Sequence, residues 1–417
     1  TRFKCDWSSD VCSSDLSTVS WLDFDLEART RALALVDVFR EKSAIDELGI
    51  GAVRDAFARL FFPGVSVLQT RARYFVFIPR QLAAAGQAET LDAARRALRD
   101  SEVRLIYALI RELGDRPGNG ILGRIARAKL KRMPSSIYWA PLQQYGIVRR
   151  EGSIDTVLRQ GVASHKAIRA RDQTDELGFG APPTGLDPEL LRLGTTKDWL
   201  TTTNFELTQT EASYLRDRIM ESCDGSLYAW ILRHHKTPVD GYLWEQPWID
   251  DIPDSLRQAT ELARRFSMLT HGAAILYNLM LAELEHSDQL AEDRRAELET
   301  WQQVAAGDVE WDGPHFWAVA RSITPRISSA TQAFADAWCA SAPRTSNVAS
   351  DPNLRALIER REVSLKGARA KLVNPKARQD WRGDFAFGMG MLEYNWSNAR
   401  QIIRDIQEGL GSDGAES

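Results

Sequence analysis

The chain has 417 residues, 44% of them hydrophobic, a length and composition that bury ample core and point to two or three domains. Its longest uncharged run, 266–282, contains Ser267, Thr270, His271 and Asn278; it is too short and too polar to span a bilayer, so a membrane span is excluded and a buried helix predicted. The net charge of −4 hides an asymmetry: residues 104–150 hold ten Lys/Arg against Glu112 and Asp115, residues 355–382 hold nine against three acids, and residues 283–312 hold ten acids against Arg294 and Arg295. Two basic zones flank an acidic middle, which reads either as a polyanion-binding surface or as charges that neutralise one another within the fold.

Residues 4–16, KCDWSSDVCSSDL, repeat Ser-Ser-Asp and resemble a translated sequencing-library adapter. They have neither the basic start nor the apolar centre of about 7–15 residues of a signal peptide. Residues 1–16 are therefore set aside, and the natural chain is read as starting at or before Ser17. The remaining cysteines, Cys223 and Cys339, form no metal-ligand spacing and no disulfide framework, which points to a reducing, cytoplasmic compartment.

From there the pattern is mainly α, with little strand. Asp25 caps a first helix whose Ala32, Leu35, Val36 and Phe39 fall at i, i+3, i+4 and i+7. Val53, Ala56, Phe57 and Leu60 repeat the stripe until Pro63-Gly64 stops it. The aromatic run 74–78 suits strand or helix; Leu68, Ala72 and Phe75 at i, i+4 and i+7 favour helix. A long helix over about 89–113 follows, with Leu91, Leu98, Leu105 and Leu109 on one side and Gly114 as its stop. A Gly-rich loop, a basic helix, a turn and a short helix closing at Gly146 complete an N-terminal helical domain, 17–171.

Residues 172–196, with Gly178, Gly180, Pro182, Pro183 and Gly185, read as a linker. A Trp-rich acidic helical domain takes 197–340, a polar linker 341–351, and basic helices 352–411. In the last part Leu354, Leu357, Leu365, Ala368 and Leu372 predict one helix whose other faces carry Arg360, Lys366, Arg369 and Lys371. A glycine-containing loop over 383–390 leads to a final helix capped near Ser397. No period of 20–50 residues recurs, so a solenoid is excluded.

The strongest candidate for chemistry is 119–151, NGILGRIARAKLKRMPSSIYWAPLQQYGIVRRE. Arg124, Arg127 and Lys131 fall at i, i+3 and i+7 of the expected helix, Ser135 or Ser136 can cap a second, and 147–150 can start a basic wing. This is the outline of a small winged-helix-like unit, in which Arg124, Arg127, Lys131, Arg149 and Arg150 would hold phosphates. Ile121, Ile125, Ile137 and Tyr145 would form its core. Pro141 departs from the pattern, since it falls inside the would-be recognition helix. An ordinary helical hairpin with a solvated basic face is the alternative.

Nothing else assembles into a site. The glycines of 114–123 could cradle a phosphate at a helix N-terminus, but they lack the Gly-Lys-Ser/Thr ending of a P-loop. The histidines form no metal-ligand spacing, His234 and His235 pointing about 100° apart on a helix. Asp250, Asp251 and Asp254 near Trp244 and Trp248 are the one acid-aromatic loop that resembles a hydrolase cleft, and no Gly-x-Ser-x-Gly elbow exists. No catalytic residue, metal or cofactor is assigned. The tryptophans of the middle region fit a core or a protein-docking surface better than base stacking, because that region is acidic.

The segment 46–79, DELGIGAVRDAFARLFFPGVSVLQTRARYFVFIP, resembles the start of the domain-of-unknown-function family numbered 6361, an uncharacterised bacterial family. The resemblance extends to WLDF (21–24), LKRMPSSIYWAPLQQYGI (130–147), HGAAILYNLMLAE (271–283) and LKGARAKLVN (365–374). It implies a mostly helical, cytoplasmic protein with no assigned activity, loosely associated with mobile or anti-phage gene neighbourhoods. The combined reading is a mainly α, multi-lobed protein, non-catalytic and nucleic-acid-binding, of a bacterial system such as a defence system. The second reading is a scaffold subunit that docks proteins through its Trp-rich middle.

Overall fold

The computed structural model describes residues 47–149, 151–172, 185–193, 199–200, 203–308, 311–325, 327–379, 381 and 390–411. The expected first helix, the 21–24 motif, Arg150 and most of the 383–390 loop lie outside them. Fifteen α-helices are described. The first seven are α1 (Gly51–Phe61), α2 (Tyr74–Ala85), α3 (Leu91–Leu113), α4 (Pro134–Gln144), α5 (Ile154–Asp172), α6 (Pro188–Arg192) and α7 (Gln209–Ser222). Next come α8 (Leu227–Arg233), α9 (Asp254–Leu284), α10 (Asp288–Asp308), α11 (Gly313–Ile323) and α12 (Ser329–Ser341). The remaining three are α13 (Pro352–Lys366), α14 (Pro375–Arg378) and α15 (Trp396–Gly411). Among the described residues the β structure is one antiparallel bridge, Val148 to Leu186. No described helix is long and apolar enough to cross a membrane.

Helix α9 organises the packing. Its first half buries Leu256, Ala259, Ala263 and Phe266 in the larger core, and its second half buries Met268 to Ala282 in a smaller one. Because the second half is apolar on nearly every side, it needs partners all round, and α10, α12 and α13 supply them. Two tryptophans donate to its backbone carbonyls: Trp301 Nε1 to Met268 at 2.7 Å and Trp338 Nε1 to Leu269 at 2.8 Å. Gly272 makes the approach feasible, since a Cβ there would stand 2.3 Å from the Trp301 ring.

The larger core draws residues from 53 to 406, so it takes in the N-terminal, middle and C-terminal parts of the chain. Helix α1 presents Val53, Ala56 and Phe57 as its stripe requires, and Phe62-Pro63-Gly64 ends it, Gly64 adopting φ +84° against the Tyr145 ring. The ambiguous 74–78 run is helical, but Leu68 and Ala72 precede α2 rather than belong to it. Pro79 lies inside α2 and is fully enclosed.

Tyr138 and Asp405 lock this core. The Tyr138 hydroxyl accepts from the amides of Thr70 (2.9 Å) and Arg71 (3.1 Å) and donates to the Arg71 carbonyl. Asp405, on α15 and without exposed side-chain surface, accepts from the Arg71 guanidinium, the Ala72 amide at 2.8 Å and Gln401. Where the chain was expected to be a linker, residues 185–193 bury Leu186, Asp187 and Leu190.

The single C-terminal helix expected through Leu372 is instead two pieces. Helix α13 stops at Lys366, Gly367 turns with φ +54°, and residues Gly367–Arg369 form a 3-10 turn. The turn exists because Glu362, fully buried, collects the amides of Lys371 and Leu372, each at 2.9 Å, together with the Tyr277 hydroxyl at 2.7 Å. Lys366 and Lys371 both pair with Glu47, so neither is the solvated cation the helical spacing implied.

Gly272→Ala is expected to destabilise the protein by about 1–3 kcal/mol, because the enclosed Trp301 ring has no room to retreat. Chemical denaturation followed by circular dichroism reads this as a lower midpoint; an unchanged midpoint would mean that α10 yields freely.

Candidate nucleic-acid interface

The predicted basic element is a loop laid against α3, not a helix. Thr90 caps α3 through the Ala93 amide, and Ala94, Leu98, Leu105, Ala108 and Leu109 face the core. After Gly114 the chain is pinned at several points: Asn119 Nδ2 donates to the Gly114 carbonyl (2.8 Å), Thr70 Oγ1 to the Gly120 carbonyl (2.6 Å), and the Leu122 amide to Tyr74 Oη (3.0 Å). Gly120 and Gly123 take φ +83° and +79°, and Arg127 itself takes +48°. Three left-handed residues within eight cannot belong to an α-helix. What remains is a run of turns with a 3-10 turn at Arg127–Lys129. Gly123 is required for close approach, since a Cβ there would stand 2.6 Å from Leu130 and 2.9 Å from Ile106 on α3. Arg99 of α3 then donates to the carbonyls of Ala128 and Leu130 at 3.1 and 3.3 Å.

This geometry gives the four described members of the five predicted phosphate contacts different surroundings. Arg124 is buried beneath the loop, 8% exposed, with Nη1 2.8 Å from Asp115 Oδ1. Arg127 is exposed and shares the same carboxylate, its Nη2 3.0 Å from Oδ2. These two guanidiniums, Arg124 foremost, hold the Asp115 carboxyl below the usual range. Lys131 is exposed on the loop. Arg149 engages the buried Asp187 at 2.9 Å, which also accepts from Tyr214. Arg150 lies outside the described residues. The wing expected at 147–150 is, as far as Arg149, the single bridge to Leu186. Ile121 and Tyr145 are buried as expected and Ile137 partly so, but Ile125 is 42% exposed.

Helix α4 does form, with Pro134 rather than a serine cap at its start. Pro141 is tolerated: it is buried, and its carbonyl accepts from the Tyr145 amide at 2.8 Å. Glu102 of α3 receives the Ser135 amide at 2.7 Å and so fixes the start of α4 beside the end of the basic loop.

The same stretch carries further exposed cations that the helical spacing does not single out. Arg96, Arg104, Arg116, Lys129 and Arg132 are exposed with Lys131, and none of the six pairs with a described carboxylate. Between residues 91 and 132 eleven Lys/Arg stand against five acids. Of those acids, Asp92 and Asp115 are already paired with arginines and Glu102 is buried. Only Asp100 and Glu112 remain as exposed acids on this stretch. The signal was present in the sequence as the KLKR run at 129–132 and as the cations of the long helix.

The second basic zone fares differently. Arg355 pairs with Glu283, Arg378 with Glu285, and Arg361 donates to the carbonyls of Leu48 and Gly49. Part of it is thus paired within the fold, partly by the acidic middle, while Arg360, Arg369 and Lys376 are exposed and pair with no described carboxylate. Most tryptophans of that middle region are core: Trp230, Trp248, Trp301, Trp317 and Trp338 are buried, while Trp199, Trp244 and Trp311 are half-buried. Trp311 lines an open groove of about 560 Å³ with Trp317, Arg321 and Asp336, whose Oδ1 accepts both indole N–H groups at 2.9 and 2.7 Å. The acid-aromatic loop does not converge: Asp251 pairs with Lys236, Asp254 with Arg257, and Trp248 is buried. Among the described residues no group of three His, Cys, Asp or Glu could hold a metal ion.

A family of unknown function (DUF6361) matches residues 16–409. No curated protein and no solved structure matches the chain.

Burial pushes the Glu102 carboxyl up to about 7 from an ordinary 4.5, the Ser135 amide opposing it. A carboxyl raised in the folded state favours folding while protonated; that contribution is complete below about 4.5 and lost as pH rises through about 7. Glu102→Gln keeps an acceptor for Ser135 and cannot ionise. It is expected to remove a decline in stability on the order of 3 kcal/mol across that window, read as denaturation midpoints against pH.

Proposed function

The chain belongs to this family of unknown function, and on that premise we propose that it is a non-catalytic nucleic-acid-binding component. Phosphates would be held on the face built by α3 and the loop over 114–132. The observation that carries the reading is the set of six exposed, carboxylate-free cations there. Like charges gathered on one surface repel, a cost that a bound polyanion offsets. The glycine-shaped loop is fixed at both ends by backbone and side-chain hydrogen bonds, so its Lys129, Lys131 and Arg132 would meet a backbone with little ordering left to do. Arg127 joins them at the cost of sharing Asp115; Arg124 supports the loop from below. The two buried free thiols, Cys223 and Cys339, are consistent with the reducing cytoplasm proposed for it.

A protein-docking role in a larger bacterial assembly, such as a defence system, is the second reading. The groove beside Trp311 favours it, since a half-buried indole with Arg321 alongside can anchor a partner.

Binding to duplex and single-stranded oligonucleotides should fall steeply with salt, by about 10³-fold or more between about 50 and 200 mM if six or more phosphates are engaged. Reversing Lys129, Lys131 and Arg132 together to glutamate should weaken binding for all sequences and flatten the salt slope by about one unit per lost contact. Absence of binding at the lower salt, or an unaffected triple variant, would remove this function and promote the docking reading.

A further inference from the structure

We infer that the basic face selects single-stranded over duplex nucleic acid, with Tyr107 as the platform on which an unpaired base stacks. This rests on the phosphate-binding reading above and adds a ligand class to it. Among the described residues Tyr107, 46% exposed, is the most exposed Phe, Tyr or Trp, and the others are sheltered. Among the described residues its ring stacks on no other ring and its hydroxyl has no hydrogen-bond partner. No described contact accounts for a large ring facing water at this position.

The position is informative. Tyr107 follows Ile106, which packs under Gly123 of the basic loop, and so projects about 100° further round α3. Arg104 lies at i−3 and Arg96 at i−11, three helical turns back, so two exposed guanidiniums without a described carboxylate share its side of the helix. Asp100, seven residues back on that side, is the acid that faces it. On the adjoining loop Ile125 is likewise exposed, beside Arg127 and Lys129.

A basic surface that only tracked a duplex backbone would need no exposed ring, because duplex bases are already stacked on one another and offer no face. A single strand has free base faces, and a ring flanked by cations takes the base while the cations take the flanking phosphates. The arrangement tolerates any base, so little sequence preference is expected.

The test compares full-length wild type, Tyr107→Ala and Tyr107→Phe for binding to a labelled oligothymidylate and to a duplex of equal length at low salt. Wild type is expected to favour the single strand. Tyr107→Ala should lose about 5- to 100-fold on the single strand and less than about twofold on the duplex, while Tyr107→Phe, which keeps the ring, retains binding. Equal affinity for both probes, or a Tyr107→Ala variant indistinguishable from wild type, overturns this inference and leaves the phosphate-binding face standing. Failure of wild type to bind either probe overturns the phosphate-binding face itself and this inference with it.

Discussion

A long helix that is apolar on nearly all sides cannot lie at a surface, and α9 imposes that condition on everything around it. Its 31 residues pass from one hydrophobic core into the other, so both cores are organised along a single element. Enclosure brings polar groups with it, and these are satisfied where they fall. Trp301 and Trp338 give their indole protons to consecutive carbonyls of α9, and the Tyr394 hydroxyl gives its proton to Ala263 at 2.7 Å. Tryptophan suits this use because it delivers a large apolar area and one donor from the same ring. Four of the tryptophans in the middle of the chain, Trp301, Trp311, Trp317 and Trp338, thereby serve to wrap one helix.

The same enclosure divides the cations into two populations. Of those in the C-terminal segment, Arg355, Arg361, Lys366, Lys371 and Arg378 are at least partly enclosed, and each finds a carboxylate or a carbonyl. Glu47, Glu362, Lys366 and Lys371 are the result: an interlocked set with the Tyr277 hydroxyl among them. On α3 and its following loop Arg95, Arg124 and Arg127 are likewise paired with aspartates, whereas Arg96, Arg104, Arg116, Lys129, Lys131 and Arg132 face water with no described carboxylate partner. Similar local composition thus gives an internal lock in one place and an open charged face in another.

Which parts of this were legible in the sequence follows from range. Helix α1 was readable because Val53, Ala56 and Phe57 report a local period, and the 266–282 run was readable because its lack of charge is local too. The basic loop was misjudged because a regular spacing of Arg124, Arg127 and Lys131 was given more weight than Gly120 and Gly123, whose left-handed conformations are decided by Arg71, Ile106 and Leu130. The break after Lys366 was invisible for a related reason: the carboxylates that bend the chain there are Glu362 nearby and Glu47, more than three hundred residues away. Tyr107 was missed because exposure is a property of the assembled surface and leaves no mark in a hydrophobic period.

The pair between Arg71 and Asp405 joins residues 334 apart in the chain. Until α15 arrives, the amide of Ala72 at the threshold of α2 lacks its acceptor, and the larger core lacks Ile402, Ile403 and Ile406. A contact of that sequence separation cannot form until residues 396–411 have left the ribosome. The early helices must therefore wait, incompletely satisfied, for α15 to be synthesised. During that interval the apolar faces of α1 and α2 are open to chaperones and to one another, so the order of synthesis, and not only the final contacts, bears on how faithfully this protein is made.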